Sequence, residues 1–99
     1  MYLIREIMFC KPGQARPMVK KFLAMAKIGK KKGFANMRVM TDVSAERYWT
    51  VVSEIEVESL EAHAEMSRTV MEDKDLQTIM KDYHDLVDSG RREIFMIEK

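Results

Sequence analysis

Hydrophobic and polar positions change their period several times along the chain, and these changes predict a series of strands and helices. Residues 2–10 form an apolar run rich in strand-forming side chains, which predicts a first strand closed by the turn-forming residues 11–13. Apolar residues then recur at helical spacing, with Pro17 in the first turn and Gly33 just past the end. A first helix is therefore expected between these two residues.

The middle of the chain predicts a hairpin. Residues 34–40 alternate between apolar and polar positions, and residues 47–57 alternate most clearly of all. One face of this strand carries the following side chains: Trp49, Val51, Ser53, Ile55 and Val57. The other face carries Tyr48, Thr50, Val52, Glu54 and Glu56. The shared apolar face predicts that Trp49 packs in the core beneath the helices.

Two helices and a last strand complete the pattern. Ser59 is placed to cap a helix, and Asp73 or Asp75 opens another whose apolar stripe continues to Val87. The sequence at residues 88–90, Asp-Ser-Gly, predicts the end of that helix, and residues 91–97 predict the final strand.

This order, β-α-β-β-α-α-β, predicts a single domain over residues 1–99 with an α+β, ferredoxin-like fold and one four-stranded antiparallel sheet. Helices cover only one face of such a sheet. The first and last strands are nevertheless apolar on both faces, apart from Arg5, Glu6 and the start of the last strand. A second apolar face needs a second cover, and another copy of the same sheet is the simplest one. We therefore expect a homodimer through the sheet face.

Composition and charge reduce the number of function classes that fit this chain. Nine basic residues and no acid lie between Lys11 and Arg38, whereas eleven acids and three bases lie between Glu54 and Asp88. The net charge of +1 argues against nucleic-acid binding, so we interpret the two blocks as oppositely charged faces that are solvated or meet another surface. No apolar run is long enough to span a bilayer, and neither a signal peptide nor a membrane partner is expected. The lone Cys10 fits a reducing, cytoplasmic location.

Three stretches resemble the dimeric α+β barrel superfamily, and NIPSNAP-like proteins in particular. They are YLIREIMFCKPGQARPMVKKF at the start, VVSEIEVESLEAHAEM in the middle and YHDLVDSGRREIFMI near the end. Antibiotic-biosynthesis-monooxygenase-like proteins resemble the chain as more distant cousins. The resemblance implies two sheets packed face to face in a dimeric barrel, and it implies no single chemistry.

The resemblance does not extend to the haem-degrading relatives. Those proteins use an asparagine on the first strand, with a tryptophan and a histidine beyond it. The first strand here has Arg5 and Glu6 and no asparagine, and Trp49 lies ahead of the matching tryptophan. Haem degradation is not expected, and no cofactor is expected.

His63 and His84 are candidates for chemistry that have simpler explanations. Each borders an apolar stripe, where a histidine usually bonds to a backbone carbonyl or water; a general-base role for His63 is the alternative. Two histidines 21 residues apart with no third ligand make a poor metal site, so no metal is expected.

Charged residues within the strands are the other candidates. Arg5 or Glu6, together with Arg38 and Glu54, lie in otherwise apolar strands, and buried charges must be paired. One interpretation is an ion-pair network between strands or subunits. The other is a set of polar anchors in a ligand cavity, to which Tyr48 and Asn36 could add hydrogen bonds. The pocket candidates are Arg38, Glu54, Tyr48, Asn36, Trp49 and His63.

Methionine is unusually frequent, with ten in 99 residues. The sequence leaves open a loosely specified core or an adaptable apolar pocket. Two functions remain: a protein that binds or transforms a small apolar or carbonyl-bearing molecule, as cofactor-free monooxygenases or isomerases do, and a non-catalytic homodimer that associates with a protein partner. A cavity lined by Arg38, Glu54 and Tyr48 would favour the first function, and paired charges in a filled interface would favour the second.

Overall fold

Strands and helices follow one another in the order that the sequence predicts. The computed structural model describes residues 1–98. Its elements are β1 (Tyr2–Cys10), α1 (Ala15–Lys31), β2 (Arg38–Thr41), β3 (Thr50–Val57), α2 (Leu60–Met71), α3 (Lys74–Met80) and β4 (Val87–Met96), with a 3₁₀ turn at Tyr83–Leu86. The α+β, ferredoxin-like order β-α-β-β-α-α-β is therefore confirmed.

The four strands form one antiparallel sheet in the order β2-β3-β1-β4. The helices pack on one side of it, and the main core lies between them and the sheet. Met18 and Phe22 of α1, Val51 of β3 and Leu76 of α3 are buried together there. We call this side the helix-facing side and the opposite one, which carries Arg5 and its neighbours across the strands, the open face.

The helices are capped or ended by the residues that the sequence predicts for these roles. The Ser59 hydroxyl accepts a hydrogen bond of 3.0 Å from the Ala62 amide, and the Asp73 carboxylate accepts one of 3.0 Å from the Leu76 amide. Each satisfies an amide that the first helical turn leaves without a partner. Gly33 follows α1 with a φ of 88°, a backbone conformation that glycine adopts without steric cost.

The predicted hairpin strands are too long at their N-terminal ends. β3 begins at Thr50 rather than at residue 47, because Trp49 has a φ of 62°, which interrupts the extended backbone. β2 begins at Arg38 rather than at residue 34. Phe34 and Met37 pack against the core from the connecting loop instead, so their apolar character reflects burial and not strand structure.

The prediction for residues 81–90 is wrong. The last α-helix ends at Met80, and residues 88–90, which predicted a helix end, lie inside β4. Gly90 is needed there for close packing, because a Cβ atom at this position would lie 3.0 Å from the Ile7 carbonyl oxygen and from the Met8 sulfur. The pairing of β1 with β4 also shifts between Phe9 and Cys10, next to this contact.

Membrane insertion through a helix has no support in this fold. None of the helices within residues 1–98 combines the length and the apolar character that a bilayer crossing requires.

Candidate functional site

A cavity of about 390 Å³ lies between the helix-facing side of the sheet and the helices. Its walls are mostly apolar. Six of the chain's ten methionines contribute to them: Met8, Met25, Met37, Met66, Met71 and Met80. Unbranched thioether side chains repack around differently shaped molecules more readily than branched ones do. This arrangement favours the second interpretation of the methionines, an adaptable apolar pocket.

A short polar row crosses the sheet on the cavity side. Ser53 of β3, Glu6 of β1 and Arg92 of β4 are direct neighbours across the strands, and all three line the cavity. The Arg92 Nε atom donates a hydrogen bond to the Glu6 carboxylate, and the two side chains form an ion pair. The Arg92 side chain is more exposed than that of Glu6, so the pair lies where the cavity meets solvent.

His63 brings a titratable ring to the same cavity. It lies in the first turn of α2, which Ser59 caps, and its Nε2 atom is 3.4 Å from the Ser67 hydroxyl one turn later. Burial lowers the pKa of His63 below its ordinary value, and the positive charge of Arg92 lowers it further, while the negative charge of Glu6 offsets part of this effect. The imidazole is therefore neutral near pH 7 and able to accept a proton or a hydrogen bond.

Arg38 and Glu54 do not reach the cavity. They lie on the open face, where Glu54 bridges Arg38 at 2.6 Å and Arg5 at 2.7 Å, and Arg5 continues to Glu93 at 3.3 Å. The Glu54 side chain is only 7% exposed. Burial by itself would raise the pKa of Glu54, but hydrogen bonds from Arg5 and Arg38 lower it overall. This is the ion-pair network that the sequence offered as one interpretation.

Trp49 is not in the core beneath the helices, and that prediction is wrong. Its side chain is 43% exposed, and the neighbouring Tyr48 is 86% exposed. Both line a shallow groove of about 510 Å³ together with Arg16 of α1 and Asp42. The positive φ of Trp49 breaks the strand alternation on which the core prediction depended.

Asn36 lies exposed in the loop before β2 and lines neither the cavity nor the groove. His63 is therefore the one pocket candidate from the sequence that the structure places at the cavity.

The remaining candidates from the sequence, Cys10 and His84, do not line the cavity. Cys10 is buried, and burial, with a smaller effect of Asp88, raises the pKa of its thiol above the ordinary value. The His84 ring lies 4.0 Å from that of Tyr83, measured between ring centroids. Among residues 1–98, no three His, Cys, Asp or Glu side chains are grouped so that they could hold a metal ion.

The sequence reasoning missed Arg92, Ser53 and Ser67 as cavity residues. Glu6 stands out in the sequence as a charge inside an apolar strand, but its partner Arg92 lies 86 residues away. The charge of Arg92 looks unremarkable on an edge strand until the pairing of β1 with β4 is known. The spacing of His63 and Ser67, four residues apart on a helix, was the available signal.

Solved structures share this fold. A NIPSNAP family protein of unknown function from Agrobacterium tumefaciens superimposes with a TM-score of 0.83 at 16% identity, covering 100% of this chain and 89% of that one. An uncharacterized NIPSNAP domain protein from Burkholderia xenovorans gives a TM-score of 0.81 at 13% identity, covering 99% and 95%. This chain has the NIPSNAP fold.

A more distant structure, an antibiotic biosynthesis monooxygenase, matches the NIPSNAP fold of this chain with a TM-score of 0.69 at 8% identity, covering 100% of both chains. The resemblance identified from the sequence is thus confirmed as a likeness of fold. No protein-family model matches the sequence, and no curated protein matches it either. At such low identities the likeness carries no activity from one protein to another.

Proposed function

We propose that this protein binds or transforms a small apolar, carbonyl-bearing molecule in the cavity between the sheet and the helices. One observation carries the proposal: a pocket of about 390 Å³ has apolar walls and a few convergent polar groups. Ligand sites in proteins usually have volumes of about 300–1,000 Å³ and this division of apolar and polar lining.

The polar groups suit proton transfer and the stabilisation of negative charge. His63, neutral near pH 7, is a proton acceptor, and the Arg92 guanidinium could stabilise an enolate-like oxygen. These are the elements that an isomerase-like reaction requires. A cofactor-free, monooxygenase-like reaction would require a substrate that itself activates oxygen once deprotonated.

We further propose that the protein is a homodimer through the open face and that it acts in the cytoplasm. Phe95 is 47% exposed on this face, with the Arg5 guanidinium 5.4 Å from its ring centroid, and Met40 is exposed on the opposite edge strand, β2. Aromatic residues, methionine and arginine, which this face exposes together, are enriched at protein–protein interfaces. The single Cys10, which has no disulfide partner, supports the location.

The alternative function, a non-catalytic homodimer that associates with a protein partner, has one observation in its favour. Glu54 is paired with both Arg38 and Arg5 on the open face, and none of these three residues lines the cavity. Those charges therefore stabilise the sheet. The alternative leaves the methionine-lined cavity unexplained, and for this reason we favour the first function.

Methionine methyl NMR tests the first function directly. We would label the methionine methyl groups with ¹³C and titrate a panel of small carbonyl compounds into the protein. Binding in the cavity should shift the six cavity methionines and leave four internal controls unshifted: Met1, Met18, Met40 and Met96. Shifts confined to Met40 or Met96, or none across the panel, would contradict the proposal and favour the alternative.

A further inference from the structure

We propose that the molecule bound in the cavity carries a carboxylate, which pairs with Arg92 while its apolar body lies among the methionines. This inference rests on the proposed function and names the chemical class of the ligand. It predicts that cationic molecules do not bind in the cavity and that neutral molecules bind there more weakly than carboxylates.

The geometry of Arg92 leaves room for a second acceptor. Its hydrogen bond to Glu6 uses the Nε atom. Within residues 1–98, the two terminal nitrogens, Nη1 and Nη2, have no hydrogen-bond partner. A guanidinium group has five N–H donors, and its two terminal nitrogens form parallel hydrogen bonds with the two oxygens of a carboxylate. The free end of Arg92 is therefore shaped for this group.

The surroundings of Arg92 explain why the ligand also needs an apolar body. Arg92 lines the cavity beside Glu6 and His63, while Met8 and Ile4 of the neighbouring strand line the same wall. A small hydrophilic anion would gain only the partly exposed ion pair, and exposed ion pairs contribute little. An amphipathic acid also gains the burial of its apolar chain among the methionines.

The balance of charges in the cavity couples ligand binding to the protonation of His63. The charged groups that face His63 are Glu6 on β1 and Arg92 on β4, and their charges cancel. Ser67 on the same helix is neutral. An incoming carboxylate makes the local charge negative, which favours the protonated imidazole. Binding should therefore raise the pKa of His63, which strengthens this residue as the proton acceptor of the proposed function.

Three compounds of equal chain length separate the possibilities: octanoate, octanamide and octylamine. Calorimetry measures each affinity, and methionine methyl NMR locates each binding site. We expect octanoate to bind about tenfold more tightly than octanamide, which corresponds to about 1.4 kcal/mol, because its apolar chain covers the pair with Arg92 and shields it from water. Octylamine should not bind in the cavity.

Two matched arginine variants isolate the contact. Arg92→Gln should lose about tenfold in octanoate affinity, whereas Arg91→Gln should stay within about twofold. Both variants remove one positive charge from β4, but Arg91 lies on the open face beside Phe9. Because Arg92→Gln leaves Glu6 without its partner, the double variant Glu6→Gln/Arg92→Gln provides a second measurement with the same expected loss. The oligomeric state of every variant is compared by size-exclusion chromatography.

The outcomes distinguish this inference from the proposed function. Equal binding of octanoate and octanamide at the six cavity methionines would overturn the carboxylate assignment and support the cavity as a ligand site. Equal losses in Arg91→Gln and Arg92→Gln would also overturn the assignment. If none of the three compounds shifts a cavity methionine, the carboxylate inference fails, and the carbonyl panel decides the proposed function separately.

Discussion

The Glu54 carboxylate on β3 lies 2.7 Å from the Nη2 atom of Arg5 on β1, and the two residues are direct neighbours across the strands. The same carboxylate also accepts a hydrogen bond from Arg38 on β2. The buried Glu54 therefore connects β1, β2 and β3. Arg5 extends the connection to β4 through Glu93. The charges that looked costly inside apolar strands neutralise one another.

Replacing Glu54 should destabilise the protein. Glu54→Gln removes the negative charge that bridges Arg5 and Arg38, whose side chains are 33% and 71% exposed and regain some water contacts. We expect a loss of about 2 kcal/mol in the free energy of unfolding, below the cost of breaking a fully buried pair. Urea denaturation at one protein concentration measures it. Glu56→Gln, two residues further along on the same face and exposed, is the control and should change stability by less than about 0.5 kcal/mol.

His63 should make stability fall as the pH is lowered. The pKa of His63 is below its ordinary value of 6.5 in the folded protein, so the unfolded chain binds this proton first. Stability is thus complete above pH 6.5 and decreases as the pH falls from 6.5 towards the folded pKa. His63→Gln should remove this part of the dependence, and His84→Gln should retain it. Urea midpoints at several pH values provide the measurement; identical slopes in both variants would contradict the assignment.

Two glycines should respond in opposite ways to alanine. In Gly29→Ala the new methyl group would lie 3.9 Å from Val70, an ordinary contact, and the helix gains backbone stability. We expect an increase of about 0.5–1 kcal/mol. In Gly90→Ala the methyl group would lie 3.0 Å from the Ile7 carbonyl oxygen, which should cost about 1–3 kcal/mol. Thermal and urea unfolding of the two variants in parallel provide the comparison.

The proposed dimer can be tested at Phe95. A charge that replaces an aromatic side chain at an interface loses its water when the dimer forms, so Phe95→Glu should shift the protein towards a monomer in analytical ultracentrifugation. Leu23→Glu is the matched control, because Leu23 is 53% exposed on α1, away from the open face. Retention of the dimer by both variants, or its loss in both, would contradict an interface centred on the open face.

The element order could be predicted because its signals are local. The apolar run of β1, the cap at Ser59 and the turn glycine at residue 33 each act within a few residues. Gly90 misled the prediction because its role is a contact with Ile7, more than 80 positions earlier in the chain. The sequence alone does not distinguish a glycine that ends a helix from a glycine that makes room for a neighbouring strand.

The candidate site was less predictable for the same physical reason. His63 was found because a histidine on an apolar helix face is visible in the sequence. Arg92 is not visible in this way, because its position at the cavity depends on which residue of β1 it pairs with. Strand alternation predicts a core position for Trp49, but its backbone φ of 62° breaks the alternation.

The two polar rows, one on each side of the sheet, also determine how β1 and β4 align during folding. In the observed pairing Arg5 is opposite Glu93 and Glu6 is opposite Arg92, so each of these four charges meets its opposite. A slip of one residue in one direction would set Arg5 against Arg92, and a slip in the other direction would set Glu6 against Glu93. Like charges directly opposite one another destabilise a strand pair. Such a slip would also exchange the side chains of the two faces. The four charges therefore select a single register for an edge strand whose apolar residues, present on both faces, would otherwise tolerate several.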